Sequence, residues 1–213
     1  MTAVVRRRRP ALALAGAGLS LGVSGYVVGS ALEHVAGNRM APWIIGRAAG
    51  VAAYLLLVAL VGLGLVLSHP ARARLGGSTP ARIRAHIALA LFTLGFTALH
   101  VVVLATDRYA GVGWWGTLLP MRSTYRPAGV TLGLIGVWTG VLAGVTAAAA
   151  GRLPRRLWWP LHKVAAASLV LIWLHGVLAG GDTPALLALY IGTGVLTLVL
   201  AASRYTAGRR VAR

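Results

Sequence analysis

A chain of 213 residues that is 58% hydrophobic, only 11% charged and of mean hydropathy +0.78 is too apolar for a soluble domain and fits a bundle of membrane helices. Its formal charge of +18 does not point to nucleic acid, because the 21 basic residues fall in short clusters between apolar stretches, where the positive-inside rule accounts for them. The absence of cysteine excludes disulfides, thiolate metal sites, iron–sulfur clusters and covalently attached haem, so any cofactor has to be held by histidine and packing.

Six apolar segments each supply the roughly 20 residues that cross a bilayer. In chain order they run from about Ala11 to Leu32, Ile44 to Leu67, Arg82 to Ala105, Val130 to Ala150, Leu157 to Leu178 and Pro184 to Ala202. The first follows a basic run, Arg6 to Arg9, and ends near Gly29-Ser30-Ala31, as a cleaved signal peptide would. Its apolar run is longer than the roughly 7–15 residues of a signal peptide core, which favours an uncleaved span. The longest connection, Thr106 to Gly129, carries Trp114, Trp115 and Tyr125 and is expected to lie along a membrane surface. Gly-rich stretches such as Gly16 to Gly29 read as close helix packing. No strand-turn-helix G-x-G-x-x-G unit and no Gly-rich phosphate loop is present, so no flavin (FAD) or NAD(P) site is expected.

Six spans put both termini on one side. Sixteen of the 21 basic residues then share that side: Arg6 to Arg9, Arg72, Arg74, Arg82, Arg84, Arg152, Arg155, Arg156, Lys163, Arg204, Arg209, Arg210 and Arg213. The positive-inside rule makes that side cytoplasmic, and the three acids, Glu33, Asp107 and Asp182, all land opposite. The expectation is therefore a single all-α domain over residues 1–213, a six-transmembrane-helix bundle with both termini cytoplasmic.

Four histidines stand inside apolar segments, where imidazole is costly and asks for a reason. On the third span, His86 and His100 are 14 residues apart, about 21 Å of rise and about 40° short of four full turns. On the fifth, His162 and His175 are 13 apart, about 19.5 Å of rise. The two spans run in the same direction, so His86 should meet His162 near the cytoplasm and His100 should meet His175 near the outside. Asp107 and Asp182 each follow the distal histidine by seven residues. Two bis-histidine sites stacked across the bilayer, each able to ligate a haem iron, are the natural product. One difficulty is that 13 residues of ideal helix leave the second pair about 140° out of line. Either the fifth span is locally deformed or the two haems are laterally offset.

A buried histidine on its own is most simply hydrogen-bonded to a backbone carbonyl. Four at matched depths on two helices shift the balance to ligation, with His86 and His162 on an inner iron and His100 and His175 on an outer one. Zinc fits less well, because each level offers two histidines and no carboxylate or thiolate to complete a tetrahedron. His34 and His69 stand at span ends without a partner at equal depth and read as interfacial. Arg47 lies just inside the outer end of the second span, where it could snorkel to headgroups or pair with an outer haem propionate. Arg122 and Arg126 are weaker candidates on that side, and Arg82, Arg84 and Arg156 are candidates for the inner haem. Trp138 and Trp173 read as packing residues, with Trp173 close enough to His175 to line the outer pocket.

The H-x13-H of His86 to His100 and the H-x12-H of His162 to His175 resemble the ferric reductase-like transmembrane domain, shared by ferric reductases, NADPH oxidases and the haem subunit of a periplasmic methionine sulfoxide reductase system. Arg47-Ala48-Ala49-Gly50-Val51-Ala52-Ala53-Tyr54, Ser123-Thr124-Tyr125-Arg126-Pro127 and the stretch Leu174 to Thr183 are similar to small bacterial members of that group. The likeness runs from about Trp43 to Arg204. It implies two b-type haems passing electrons across a membrane, in such a protein the bacterial inner membrane, with His86, His100, His162 and His175 as ligands. Larger members carry a cytoplasmic flavin and nicotinamide module that has no counterpart here. The implied donor is therefore a separate soluble reductase or quinol, and the implied acceptor ferric iron, oxygen or a partner reductase. The chain would then be the membrane haem subunit of an oxidoreductase. A competing reading is a non-catalytic haem-binding sensor, scaffold or assembly factor.

Overall fold

The computed structural model describes residues 38–71 and 79–211. The first apolar segment, Arg6 to Arg9, Glu33, His34, Arg72 and Arg74 lie outside the described residues. The chain divides into two units, Met1–Ala41 and Pro42–Arg213, and the second carries the helices of interest. These are α1 (Ala41–Ser68), α2 (Thr79–Thr106), α3 (Gly113–Leu118), α4 (Pro127–Ala148), α5 (Arg155–Lys163), α6 (Ala165–Ala179) and α7 (Thr183–Val211). With α5 and α6 taken together as Arg155–Ala179, five helices among the described residues are long and apolar enough to cross a membrane. The protein is an all-helical, multi-pass membrane protein over this region, and each of the last five apolar segments is a helix.

Boundaries follow local chemistry. At α4, Pro127 takes the first turn, where its missing N–H costs nothing, behind Arg126 in a left-handed conformation (φ 39°). Before α7, Gly180 closes α6 by donating its N–H to Gly176 O. α7 outruns its apolar segment by several residues, because Ala202 to Val211 contains helix formers and no proline. In the long connection, the single short helix α3 leaves Trp114 and Trp115 exposed, as a surface-lying segment would.

The fifth span is broken. Pro160 sits inside α5 and has no N–H to give to the preceding turn. Val164 N–H bonds Leu161 O and Ala167 N–H bonds Val164 O, both three-residue spacings of 3₁₀ type, and the helix resumes at Ala165.

Small residues let the spans approach closely, as expected where lipid removes the hydrophobic drive between helices. A glycine seam on α4 meets α6 in antiparallel register: Gly129 against Ala179, Gly133 against His175, Gly136 against Ile172 and Gly140 against Ser168. α1 meets α2 in the same manner, with Gly46 against Leu104, Gly50 against His100 and Gly64 against His86. Between α1, α6 and α7 lies an aromatic and aliphatic core of Tyr54, Leu57, Leu169 and Tyr190, flanked by Ile172 and Trp173. Polar atoms there are paired: the Tyr54 hydroxyl with Thr193 Oγ1, Trp173 Nε1–H with Tyr190 O at 3.0 Å, and Ser168 Oγ with Gly136 O at 2.7 Å. Thr93, Thr131, Thr139, Thr146, Thr193 and Thr197 each donate to the carbonyl four residues back, which satisfies hydroxyls that hydrocarbon would not. Outward-facing Leu91, Phe92, Trp138 and Leu198 are exposed, as lipid-facing side chains are.

Candidate haem-binding histidine pairs

The four histidines come together as the two pairs their spacing predicts. His86 and His162 have ring centres 6.2 Å apart with planes at 72°, and His100 and His175 have ring centres 6.2 Å apart with planes at 79°. Edge-to-face aromatic contacts span about 4.5–7 Å, so separation alone does not identify a site. What the nitrogens do is more telling.

His100 Nδ1 is 2.6 Å from Gly46 O, and His175 Nδ1 is 2.8 Å from Gly129 O. A carbonyl only accepts, so each Nδ1 must carry the proton, and each Nε2 is left as a lone-pair donor. Backbone anchoring of the second nitrogen is how metal-bound histidines are usually oriented. The room for these rings comes from glycine. A Cβ at Gly50 would stand 2.7 Å from His100 Nδ1, and one at Gly133 would stand 2.7 Å from His175 Nδ1. Each ring is thus seated by one pair of residues on its neighbouring helix: a carbonyl at one position and a missing side chain four residues later.

The corresponding positions 14 residues further along both supporting helices are filled differently. On α1, Gly46 and Gly50 are followed at that distance by Leu60 and Gly64, where His86 rests. On α4, Gly129 and Gly133 are followed by Ala143 and Ala147, and Ala143 O lies 3.3 Å from His162 Nδ1. α2 matches its support with a 14-residue histidine spacing; the fifth span has only 13. The break at Val164 makes up the difference. Three residues at 3₁₀ values of about 2.0 Å and 120° each, within 13, restore a rise of about 21 Å and about 60° of the roughly 140° of missing rotation. Of the two ways of reconciling the spacings, local deformation is the one adopted.

Anchoring at the His86 level is looser. The Leu60 carbonyl lies in the neighbourhood of His86, but no hydrogen bond of normal geometry reaches its buried Nδ1. A Cβ at Gly64 would meet His86 Cε1 at 3.4 Å, an ordinary contact. His162 is flanked by Trp158 at 6.0 Å and by Trp159, nearly parallel to it, at 6.3 Å between ring centres. Arg155 and Lys163 lie over the Trp159 ring at 5.7 and 5.3 Å.

Two arginines singled out in the sequence sit beyond the His100 level. Arg47 forms an ion pair with Asp182 and lies 5.3 Å from the centre of the Trp43 ring. Trp43 is in turn wedged between Tyr109 and Tyr125. Arg126 donates through one nitrogen to Leu178 O and Gly180 O, both at 3.1 Å, and Tyr125 donates its hydroxyl proton to Ala179 O at 2.9 Å. These contacts fasten the end of α6 to the start of α4. His69 is apart from both pairs; its Nδ1 accepts the Ala71 N–H and its Nε2 meets Ser203 Oγ at 3.3 Å. Trp173 packs toward α7 through its bond to Tyr190.

Sequence reasoning missed the seats. Gly46-x3-Gly50 and Gly129-x3-Gly133 were a usable signal, because each is echoed by a small residue 14 positions on, the spacing of His86 and His100.

Two imidazoles on opposite sides of one metal ion, each bound at about 2 Å with its ring centre about 1.1 Å behind the nitrogen, have centres about 6.2 Å apart. Both pairs have that separation, and at the His100 level both Nδ1 protons are already committed to backbone, which leaves Nε2 as the lone-pair nitrogen of each ring. Among the described residues no group of three or more His, Cys, Asp or Glu side chains converges, so the histidines meet as pairs. In donor type, number and separation, the residues present are those that a bis-imidazole haem site at each level would use. Comparison with protein-family models, with curated proteins and with solved structures finds no match to this chain.

Proposed function

We propose that the chain is a transmembrane electron-transfer protein holding two b-type haems, one between His86 and His162 and one between His100 and His175. The observation that carries this reading is that two histidine pairs stand at equal ring separation on the same two spans, with both imidazoles of one pair anchored to backbone carbonyls through Nδ1. Bound haem iron would supply reversible one-electron chemistry that no side chain of this protein offers. The chain's own contribution is ligation through Nε2, orientation through Gly46 O and Gly129 O, and a low-dielectric surround of apolar helix. At the His100 level, Arg126 brings positive charge near the rim, and Arg47 stands there paired with Asp182; these are the two side chains that a propionate would meet.

Six spans with both termini cytoplasmic, the arrangement that the distribution of basic residues favours, put the His86 level inside and the His100 level outside. Electrons would come from a soluble reductase or membrane quinol and pass to ferric iron, oxygen or a partner reductase outside the cytoplasm of a bacterial cell. The resemblance to the ferric reductase-like family supports the same reading.

The test is haem quantitation and a reduced-minus-oxidised spectrum on purified protein and on His100→Ala and His162→Ala variants. Two haems per chain are expected in the parent and about one in each variant, in line with the dependence of such sites on their ligands. A haem-free parent, or unchanged content in both variants, overturns the reading. Reduced haem that no outside acceptor reoxidises would favour a sensor or scaffold instead.

A further inference from the structure

The two levels are built to different tightness, and the difference has a chemical meaning if both hold haem, a reading on which this inference rests. We propose that the His86–His162 level is a ligand-exchange site, at which a small neutral diatomic molecule displaces His162 from ferrous haem iron while the His100–His175 level stays closed.

Four observations converge on His162. Its Nδ1 is 3.3 Å from Ala143 O, against 2.6 and 2.8 Å for the histidines of the other level. It occupies the last turn of a nine-residue helix that contains Pro160, two residues before the break at Val164, so its backbone is not carried by the continuous ladder that holds His175. Trp158 and Trp159 stand beside it, with ring centres 6.0 and 6.3 Å from its own and the Trp159 plane 28° from that of the imidazole, so a displaced ring has an aromatic neighbour to pack on. Across the pair, His86 has a buried Nδ1 without a normal hydrogen bond, so this level has one long bond to backbone where the other has two short ones. His100 and His175 have no comparable slack, because each is pinned to a carbonyl on one side and backed by the bare α-carbon of Gly50 or Gly133. His162 rather than His86 is the leaving ligand, since His86 lies within an unbroken 28-residue helix.

The exchange is balanced. One iron–Nε2 bond breaks and one iron–ligand bond forms; the iron stays ferrous, no electron is transferred, and His162 keeps its Nδ1 proton.

Carbon monoxide is the probe. Added to dithionite-reduced protein in lipid nanodiscs with two haems per chain, it should convert half of the haem to the carbonyl form in a slow phase limited by loss of His162. In His162→Ala that retains both haems, the same half should react faster by about tenfold or more. If His162→Ala retains one haem only, that haem belongs to the closed level and should bind no carbon monoxide. A two-haem parent that forms no carbonyl, or forms it at both haems, overturns the exchange while leaving the electron-transfer reading intact. An unchanged rate in two-haem His162→Ala, or carbonyl formation in the one-haem variant, overturns it as well. A haem-free parent overturns both.

Discussion

The His100–His175 level and the His86–His162 level share a ring separation but not a manner of construction. At the first, two glycines remove the side chains that would strike the imidazoles, and two carbonyls four residues earlier take the Nδ1 protons. At the second, the same positions on the supporting helices are filled by Leu60, Gly64, Ala143 and Ala147, and only one long hydrogen bond results. The contrast shows that pairing two histidines and fixing them are separate tasks. Pairing needs matched depth on two spans; fixing needs a neighbouring helix that comes close enough to offer backbone.

The sharpest way to break this contrast is to put a methyl group in each seat. Gly50→Ala and Gly133→Ala each place a Cβ 2.7 Å from a pinned imidazole nitrogen and should lower haem affinity at that level by about 10–100-fold, read as a fall from two haems to one in purified protein. Gly64→Ala meets His86 only at ordinary contact distance and should leave both haems in place. Equal losses from Gly50→Ala and Gly64→Ala would erase the distinction between the levels.

A smaller effect separates seat from scaffold. Tyr54 lies on α1 between the two levels and joins α7 through Thr193. Tyr54→Phe should cost about 1 kcal/mol in thermal or denaturant stability with haem content and spectrum unchanged. A selective loss of one haem would place Tyr54 in a site instead of in the frame.

The smallest expected effect belongs to Asp182→Asn. The Arg47–Asp182 pair is half-exposed at the rim of the His100 level, so its loss should cost about 0–1 kcal/mol of stability, less at high salt. A large change in the midpoint potential of one haem, with stability unaltered, would instead show that Arg47 answers to the cofactor more than to its carboxylate partner.

Much of this was legible in the residues. The five described spans are visible as apolar segments, and His86, His100, His162 and His175 declare themselves because imidazole in hydrocarbon is expensive. Even the break in the fifth span leaves a trace, as a 13-residue spacing that cannot be ideal helix opposite a 14-residue one. Pairings across distant loops were not legible. Arg47 and Asp182 are 135 positions apart, and nothing local to either names the other; Arg126 spends its donors on backbone carbonyls, which carry no sequence signature. The glycine seats were unread for a related reason. A glycine in a membrane helix signals close approach, but what approaches is known only once the helices are packed.

The α4 seam has one more consequence. Its glycines repeat after seven residues, Gly129 with Gly136 and Gly133 with Gly140, so small-residue packing by itself would accept α6 displaced by two turns. His175 and Ser168 are themselves seven residues apart, so their bonds to Gly129 O and Gly136 O follow the same repeat and do not set the register alone. What distinguishes the registers is the helix on the other side: a slide of two turns would carry His175 about 10 Å along its axis, away from the ring of His100 that it now meets, so the histidine pair breaks a repeat that the glycines leave open.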